Sequence, residues 1–304
     1  MKKLIFALFS VCILFTSCHA LVEDEFPDFA KVPVMNGLLQ ADSTFRVQVS
    51  LTANLTDTAP TYVSNARVII ESTVATPDTL VYTEKGWYVS ARTVKVGASY
   101  TCRAEIPGYN KVSASTTIPY PSKIDSLIFT KNAGRNEEAL EISSVEFSIK
   151  NNIETKSFWE VKLKSKHNSL VYDNESNEFH DYISEIDESI FIQAEQDSVM
   201  LSEPNPLYVF SNFKMKTNKH WIKFYYNENN ISYNTNDTLF VELRNIDESF
   251  YKYRKQFYIY YTSKQINIGK ITSYYPLFSN ITNGLGLFTG MSVSRKIILP
   301  TILK

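Results

Sequence analysis

The stretch Phe45-Arg46-Val47-Gln48-Val49-Ser50-Leu51 decides the fold class. Phe45, Val47, Val49 and Leu51 are apolar, and the residues between them are polar or charged. An extended strand points successive side chains to opposite faces, so this alternation buries one face and leaves the other wet. Neighbouring stretches repeat the pattern. Ala66–Ile70 and Gly86–Val89 are short and apolar, and Ser99–Ile106 aligns Tyr100, Cys102, Ala104 and Ile106 on one face. Lys111–Ile118 aligns Val112, Ala114, Thr116 and Ile118 in the same way. At least five short strands separated by turn residues predict an antiparallel sandwich over residues 31–119.

Ile118-Pro119-Tyr120-Pro121 closes that unit, because two prolines within three residues remove donors that a central strand requires. Residues 120–304 again read as strand-rich. Val145, Phe147 and Ile149 alternate with polar neighbours, as do Trp159, Val161 and Leu163 with Glu160, Lys162 and Lys164. Trp221–Tyr226 and Thr238–Leu243 follow. One helix interrupts them: Asp247 can cap it, and Phe250, Tyr253, Phe257, Tyr260 and Tyr261 recur at helical spacing as a core-facing stripe. The fold expected is mainly β, a sandwich followed by a second strand-rich domain with one amphipathic helix. Gly97–Tyr109 resembles the end of immunoglobulin-like or carboxypeptidase-regulatory-like modules, which implies a spacer or partner surface.

The N-terminus carries an address. Lys2 and Lys3 precede an apolar run from Leu4 to Phe15, and Thr16-Ser17-Cys18 follows. A basic end, an apolar core and small residues before a cut site make a secretory signal over residues 1–17. Twelve residues rise only about 18 Å as a helix, short of a roughly 30 Å hydrocarbon slab. Phe15-Thr16-Ser17-Cys18 resembles a bacterial lipobox, with Phe15 where Leu is commoner. That resemblance implies lipid attachment at Cys18 and a membrane anchor made of acyl chains. Residues 18–30 would be the tether. Its acids Glu23, Asp24 and Glu25 are either a solvated linker or a signal for display on the outer surface.

Composition narrows the function. Loss of Lys2 and Lys3 from 31 basic residues leaves 29 against 32 acidic, a formal charge of −3. No basic stripe is present to neutralise phosphates, which argues against nucleic acid as a partner. With Cys18 lipidated, Cys102 has no intramolecular partner, and its place in an alternating strand predicts a buried, inert thiol. His19, His167, His180 and His220 are dispersed, without metal-ligand spacing. Ser-x-x-Lys occurs at Ser211–Lys214 and Ser249–Lys252, a spacing that chance supplies in a chain rich in both residues. Asp173, Glu175, Asn177 and Glu178 carry calcium-type oxygens but lack the loop glycine. No catalytic residue, metal ligand or cofactor site is assigned, and the chain is not expected to be an enzyme.

Three stretches carry a family resemblance. They are Val32-Pro33-Val34-Met35-Asn36-Gly37-Leu38-Leu39, Val63-Ser64-Asn65-Ala66-Arg67-Val68, and Ser279-Asn280-Ile281-Thr282-Asn283-Gly284-Leu285-Gly286-Leu287-Phe288. Together they resemble the Bacteroidota lipoprotein family catalogued as domain of unknown function 4249. The last is the most specific, with Asn280, Ile281, Gly284, Gly286 and Phe288 matching its signature. On physical grounds that signature is a structural turn, its glycines allowing positive φ or close backbone approach and Phe288 plugging a core. The resemblance implies an outer-membrane lipoprotein that acts by binding, as accessory or partner of a TonB-dependent β-barrel transporter. Whether it faces the surface or the periplasm stays open. The alternative is a lipoprotein that captures glycan or peptide on exposed Trp87, Trp159 and Trp221. A third reading, an unrecognised hydrolase, requires a histidine or carboxylate pair in hydrogen-bond reach inside a pocket.

Overall fold

The structure is a computed structural model that describes residues 29–54, 57–173, 178–192, 208–227, 238–263 and 276–298. The signal, Cys18 and the acids at 23–25 lie outside the described residues, as does most of the 173–178 loop. Strands occur where alternation places them. The first group comprises β1 (Pro33–Gln40), β2 (Thr44–Leu51), β3 (Thr61–Tyr62), β4 (Arg67–Ser72), β5 (Asp78–Thr79), β6 (Val81–Tyr82), β7 (Trp87–Thr93), β8 (Ser99–Glu105) and β9 (Val112–Thr117). The second comprises β10 (Ile124–Arg135), β11 (Glu141–Lys150), β12 (Phe158–Asp173), β13 (Glu178–Glu188), β14 (Ile190–Phe191), β15 (Val209–Ser211), β16 (Lys219–Asn227) and β17 (Thr238–Ile246). Helix α1 (Glu248–Ser263) and strand β18 (Phe288–Ile298) complete the described chain.

These elements build a mainly β fold of two sandwiches that share one sheet. The shared sheet runs β13-β12-β17-β18-β1-β2-β7-β6. Its β6-to-β1 end faces the sheet β5-β4-β8-β9, and the β18-to-β13 end faces β10-β11-β16-β14. The first core contains Phe45, Val47, Val49, Val68, Ile70, Cys102 and Ala104. Buried Tyr88 fits there because its hydroxyl accepts from the Ala66 amide and donates to the Val63 carbonyl, both at 2.9 Å. The second core contains Val145, Phe147, Trp159, Val161, Ile222, Phe224 and Val241. In each case the inward set is one alternating face of a strand.

The seam is β18. Its first residues pair in parallel with β1, Gly37 opposite Phe288 and Gln40 opposite Met291. From Met291 to Ile298 it pairs antiparallel with β17. The sandwich expected over 31–119 thus draws Ile281 and Phe288 into its core from far down the chain.

Polar staples hold the junction. Asp247 Oδ1 accepts from the Phe250 amide at 2.8 Å, capping α1. The same carboxylate accepts from Thr116 Oγ1 on β9, at 2.5 Å, and from Thr289 Oγ1 on β18. Nearby, the Ser122 amide donates to Asn245 Oδ1 at 2.7 Å, and Trp159 Nε1 donates to Ser122 Oγ at 2.9 Å.

Candidate functional site

The segment from Asn280 to Phe288 closes the open side of the first sandwich. Asn280 spans the loop with both ends of its amide, accepting from the Phe288 amide at 2.9 Å and donating to the Phe288 carbonyl at 2.7 Å. Leu285 donates to Pro33 O, Met35 to Leu285 O, and Gly37 to Leu287 O, so the loop extends the parallel pairing along β1. On its other side the Thr282 amide donates to Ser113 O on β9 at 2.8 Å. The chain must pass between two sheet edges here, which explains the glycines. Gly286 has φ +111°, and a Cβ there would lie 2.3 Å from the Met35 carbonyl oxygen. A Cβ on Gly284 would lie 2.8 Å from Pro33 O and 2.9 Å from Val112 Cγ1. Ile281 and Phe288 are buried in the first core.

Above this loop lies a cleft of about 610 Å³. Its floor is the outer face of β1, Val34, Asn36 and Leu38, with Leu285 and Leu287 beside it. One wall is α1, through Phe250, Tyr253 and Tyr260, and the other is Pro276–Ser279. The aromatic stripe expected to face the core is only partly sunk: Phe250 is buried, Tyr253, Phe257 and Tyr260 are half-buried, and Tyr261 is exposed. The physical reason is that α1 packs against the outer face of the shared sheet, where no second sheet covers the rest of the stripe. Tyr253, Phe257 and Tyr261 stack in sequence along the helix, 6.0 and 6.4 Å apart. Leu38, Leu277 and Leu285 stay exposed around the opening. Among the described residues the lining contains no Asp, Glu, His, Lys, Arg or Cys, so the chemistry these residues offer is apolar and aromatic contact with a few amide and hydroxyl groups.

The model of the family described as "Domain of unknown function (DUF4249)" matches residues 21–297. This chain belongs to the DUF4249 family. No curated protein matched the DUF4249 chain. The family segment 280–288 therefore has two jobs in this DUF4249 protein: it closes the first sandwich and forms part of the cleft floor.

Sequence reasoning missed what holds the helical wall of the DUF4249 cleft. Glu160 and Glu242 alternate with core residues and look solvent-facing, yet both are buried under α1 and neighbouring side chains. Arg254 of α1 reaches Glu160 at 2.8 Å, and Arg244 reaches Glu160 at 3.0 Å and Glu242 at 2.6 Å. Arg295 links Glu242, at 2.7 Å, to Glu185 at 3.0 Å. Partial burial disfavours the Arg295 cation, but Glu185 and Glu242 outweigh it and hold its pKa above the ordinary value. Phe158 packs on Tyr251 at 4.8 Å and completes the anchorage.

The other candidates are scattered. Trp159 is buried and stacked on Phe210 at 5.4 Å. Trp87 lies on β7 with Arg46 over its ring, and Trp221 lies on β16 with Lys219 over its ring. Trp159 and Trp87 lie near opposite ends of the shared sheet, on β12 and β7, and Trp221 lies on another sheet, so they form no common platform. His167, His180 and His220 sit on β12, β13 and β16. His167 Nε2 is 2.8 Å from Ser165 Oγ, but that hydroxyl donates its proton to Glu188. Ser165 and His167 lie on β12, apart from the cleft lining. Ser211 Oγ accepts from the Phe213 amide at the start of a 3-10 turn, and Lys252 pairs with Glu248 at 3.0 Å. Cys102 is buried, and burial pushes its thiol pKa up to about 12. Among the described residues no group of three His, Cys, Asp or Glu side chains is placed to hold a metal, and no helix is long and apolar enough to cross a membrane.

Proposed function

We propose that this protein is a lipid-anchored outer-membrane lipoprotein of Bacteroidota type, cut before Cys18, that works by binding, as partner of a TonB-dependent β-barrel transporter. The supporting observation is the apolar, aromatic cleft whose floor is shared by β1 and the segment 285–287. A wall of tyrosine and leucine held by buried ion pairs is pre-organised, so a partner loop entering it loses little order on the protein's side. The basic end, apolar run and Thr16-Ser17-Cys18 supply the anchoring reading. From Cys18 to Phe29 an extended tether reaches about 35–40 Å, enough to keep the globule beside a barrel in the same membrane. Capture of glycan on tryptophan platforms has less support, because Trp87, Trp159 and Trp221 do not share a face. Hydrolysis has less support because the Ser165–His167 pair lies outside the cleft lining.

The test is a mild-detergent pull-down from the native membrane with a C-terminally tagged chain. Co-purification of one β-barrel is expected, lost in Cys18→Ala and reduced in the cleft variant Leu38→Glu/Leu285→Glu. Recovery of the chain without any barrel sinks the partner reading. Full retention of the barrel by the cleft variant moves the docking surface elsewhere.

A further inference from the structure

The shared sheet ends at β13. Among the described residues β13 pairs only with β12, from Leu163 opposite Glu188 to Asp173 opposite Glu178. Pairing of β12 with β17 stops at Lys166 opposite Thr238. Beyond that point β12 and β13 continue as a ribbon with no described third strand. An isolated two-stranded ribbon is marginal in water and normally carries polar faces. This one does not. Leu170 is 67% exposed and Ile183 54% on one face, and Tyr182 is 58% exposed with Val171 on the other.

Charge on this edge is one-sided. Glu178, Asp181, Glu185, Asp187 and Glu188 lie along β13, which has no Lys or Arg. Glu185 and Asp187 are taken up by Arg295, Lys162 and Lys164 of the shared sheet. Glu178 and Asp181 lie further out along the ribbon. Two copies pairing β13 to β13 would bring these carboxylates into opposition, which is destabilising across adjacent strands. An anionic membrane surface would be repelled for the same reason. The edge is blunted against its own kind and open to a strand of opposite charge.

We propose that the outer edge of β13, which has no strand beside it among the described residues, receives an extended segment of a partner protein in which Lys or Arg alternates with apolar residues, added as a further strand. Backbone pairing supplies the attachment, Leu170, Ile183 and Tyr182 supply apolar contact, and Glu178 and Asp181 choose the charge. This surface is separate from the cleft, and the inference stands whether or not the cleft binds a transporter.

The test uses the full mature chain with Cys18→Ala and three fluorescent peptides: alternating Lys and Val, alternating Glu and Val, and the Lys–Val peptide with a central Pro. Anisotropy is expected to show binding of the Lys–Val peptide alone, together with slowed amide hydrogen exchange across Glu178–Glu188. In Glu178→Lys/Asp181→Lys, Lys–Val binding falls by about ten-fold and the Glu–Val peptide gains affinity, since exposed charge pairs each contribute modestly. That exchange of preference separates recognition from loss of fold, which a matched circular-dichroism melt also checks. Equal binding of the Pro-containing peptide, unchanged preference in the charge-swapped variant, or no binding of any peptide overturns the proposal. So does a dimer in sedimentation that the charge swap leaves intact.

Discussion

The two sandwiches meet the same difficulty, unpaired sheet edges, in opposite ways. The first covers its β1 and β9 side from within. The segment 280–291 pairs with β1 on one side and bridges to β9 on the other, and Asn280 fastens it. The second leaves β13 unpaired among the described residues and marks it with carboxylates. A closed edge becomes architecture, and an open edge of one charge becomes a place for selective contact. The segment 280–288 belongs to the closed side, where a Cβ on Gly284 or Gly286 would meet a backbone oxygen.

Removal of the closing segment breaks the comparison outright. A chain ending at Ser263 loses β18, the strand common to both sandwiches. Cooperative unfolding in urea should disappear, with a molten or aggregated product in circular dichroism and gel filtration. A retained sharp transition would mean the first sandwich closes without its borrowed strand. Next comes Glu160→Ala, which leaves Arg254 facing a buried space without its carboxylate and Arg244 with Glu242 alone. Stability should fall by about 3–5 kcal/mol in urea titration, and α1 should exchange its amides faster. A loss below about 1 kcal/mol, within the range of an exposed pair, would make the ladder a surface ornament.

Asn280→Ala sharpens the comparison more gently. It strips both backbone groups of Phe288 of their side-chain partners, at a cost of about 1–3 kcal/mol, and it should loosen the cleft floor before the second sandwich. Hydrogen exchange can rank the two. The smallest expected effect is alkaline. Cys102 keeps its proton in the fold up to about pH 12, against 9.0 for an ordinary exposed thiol. Between those values the unfolded chain binds fewer protons than the folded one, so stability falls as pH rises from 9.0 toward 12. In a Cys18→Ala mature chain, maleimide should label Cys102 only in the unfolded state. Labelling at the rate of a free thiol under native conditions would show that the first sandwich opens readily.

The strands were legible because period two survives wherever one face is buried. Phe45, Val47 and Val49, the Cys102 strand, and Trp159, Val161 and Leu163 all lie inward as their alternation implies. So does the cap at Asp247. Glu160 was not legible, since a carboxylate between core positions looks like a wet face until a helix covers it. Nor was the tie from Gly37 to Phe288, because local pattern carries no information on distant pairing. The half-exposed aromatic stripe on α1 misled for a related reason: spacing reveals a face but not what lies opposite. The family segment itself was visible as residues, while its contact with the cleft required three dimensions.

The borrowed strand also sets an order of events. Gly37–Gln40 of β1 find their parallel partner only when residue 288 is free to meet residue 37. Contacts this distant in sequence slow folding, since a long loop must close before it is rewarded. A polypeptide delivered start-first, from a ribosome or through a pore, cannot lock its first sandwich halfway. It stays threadable until the last strand clears, and then both halves set together.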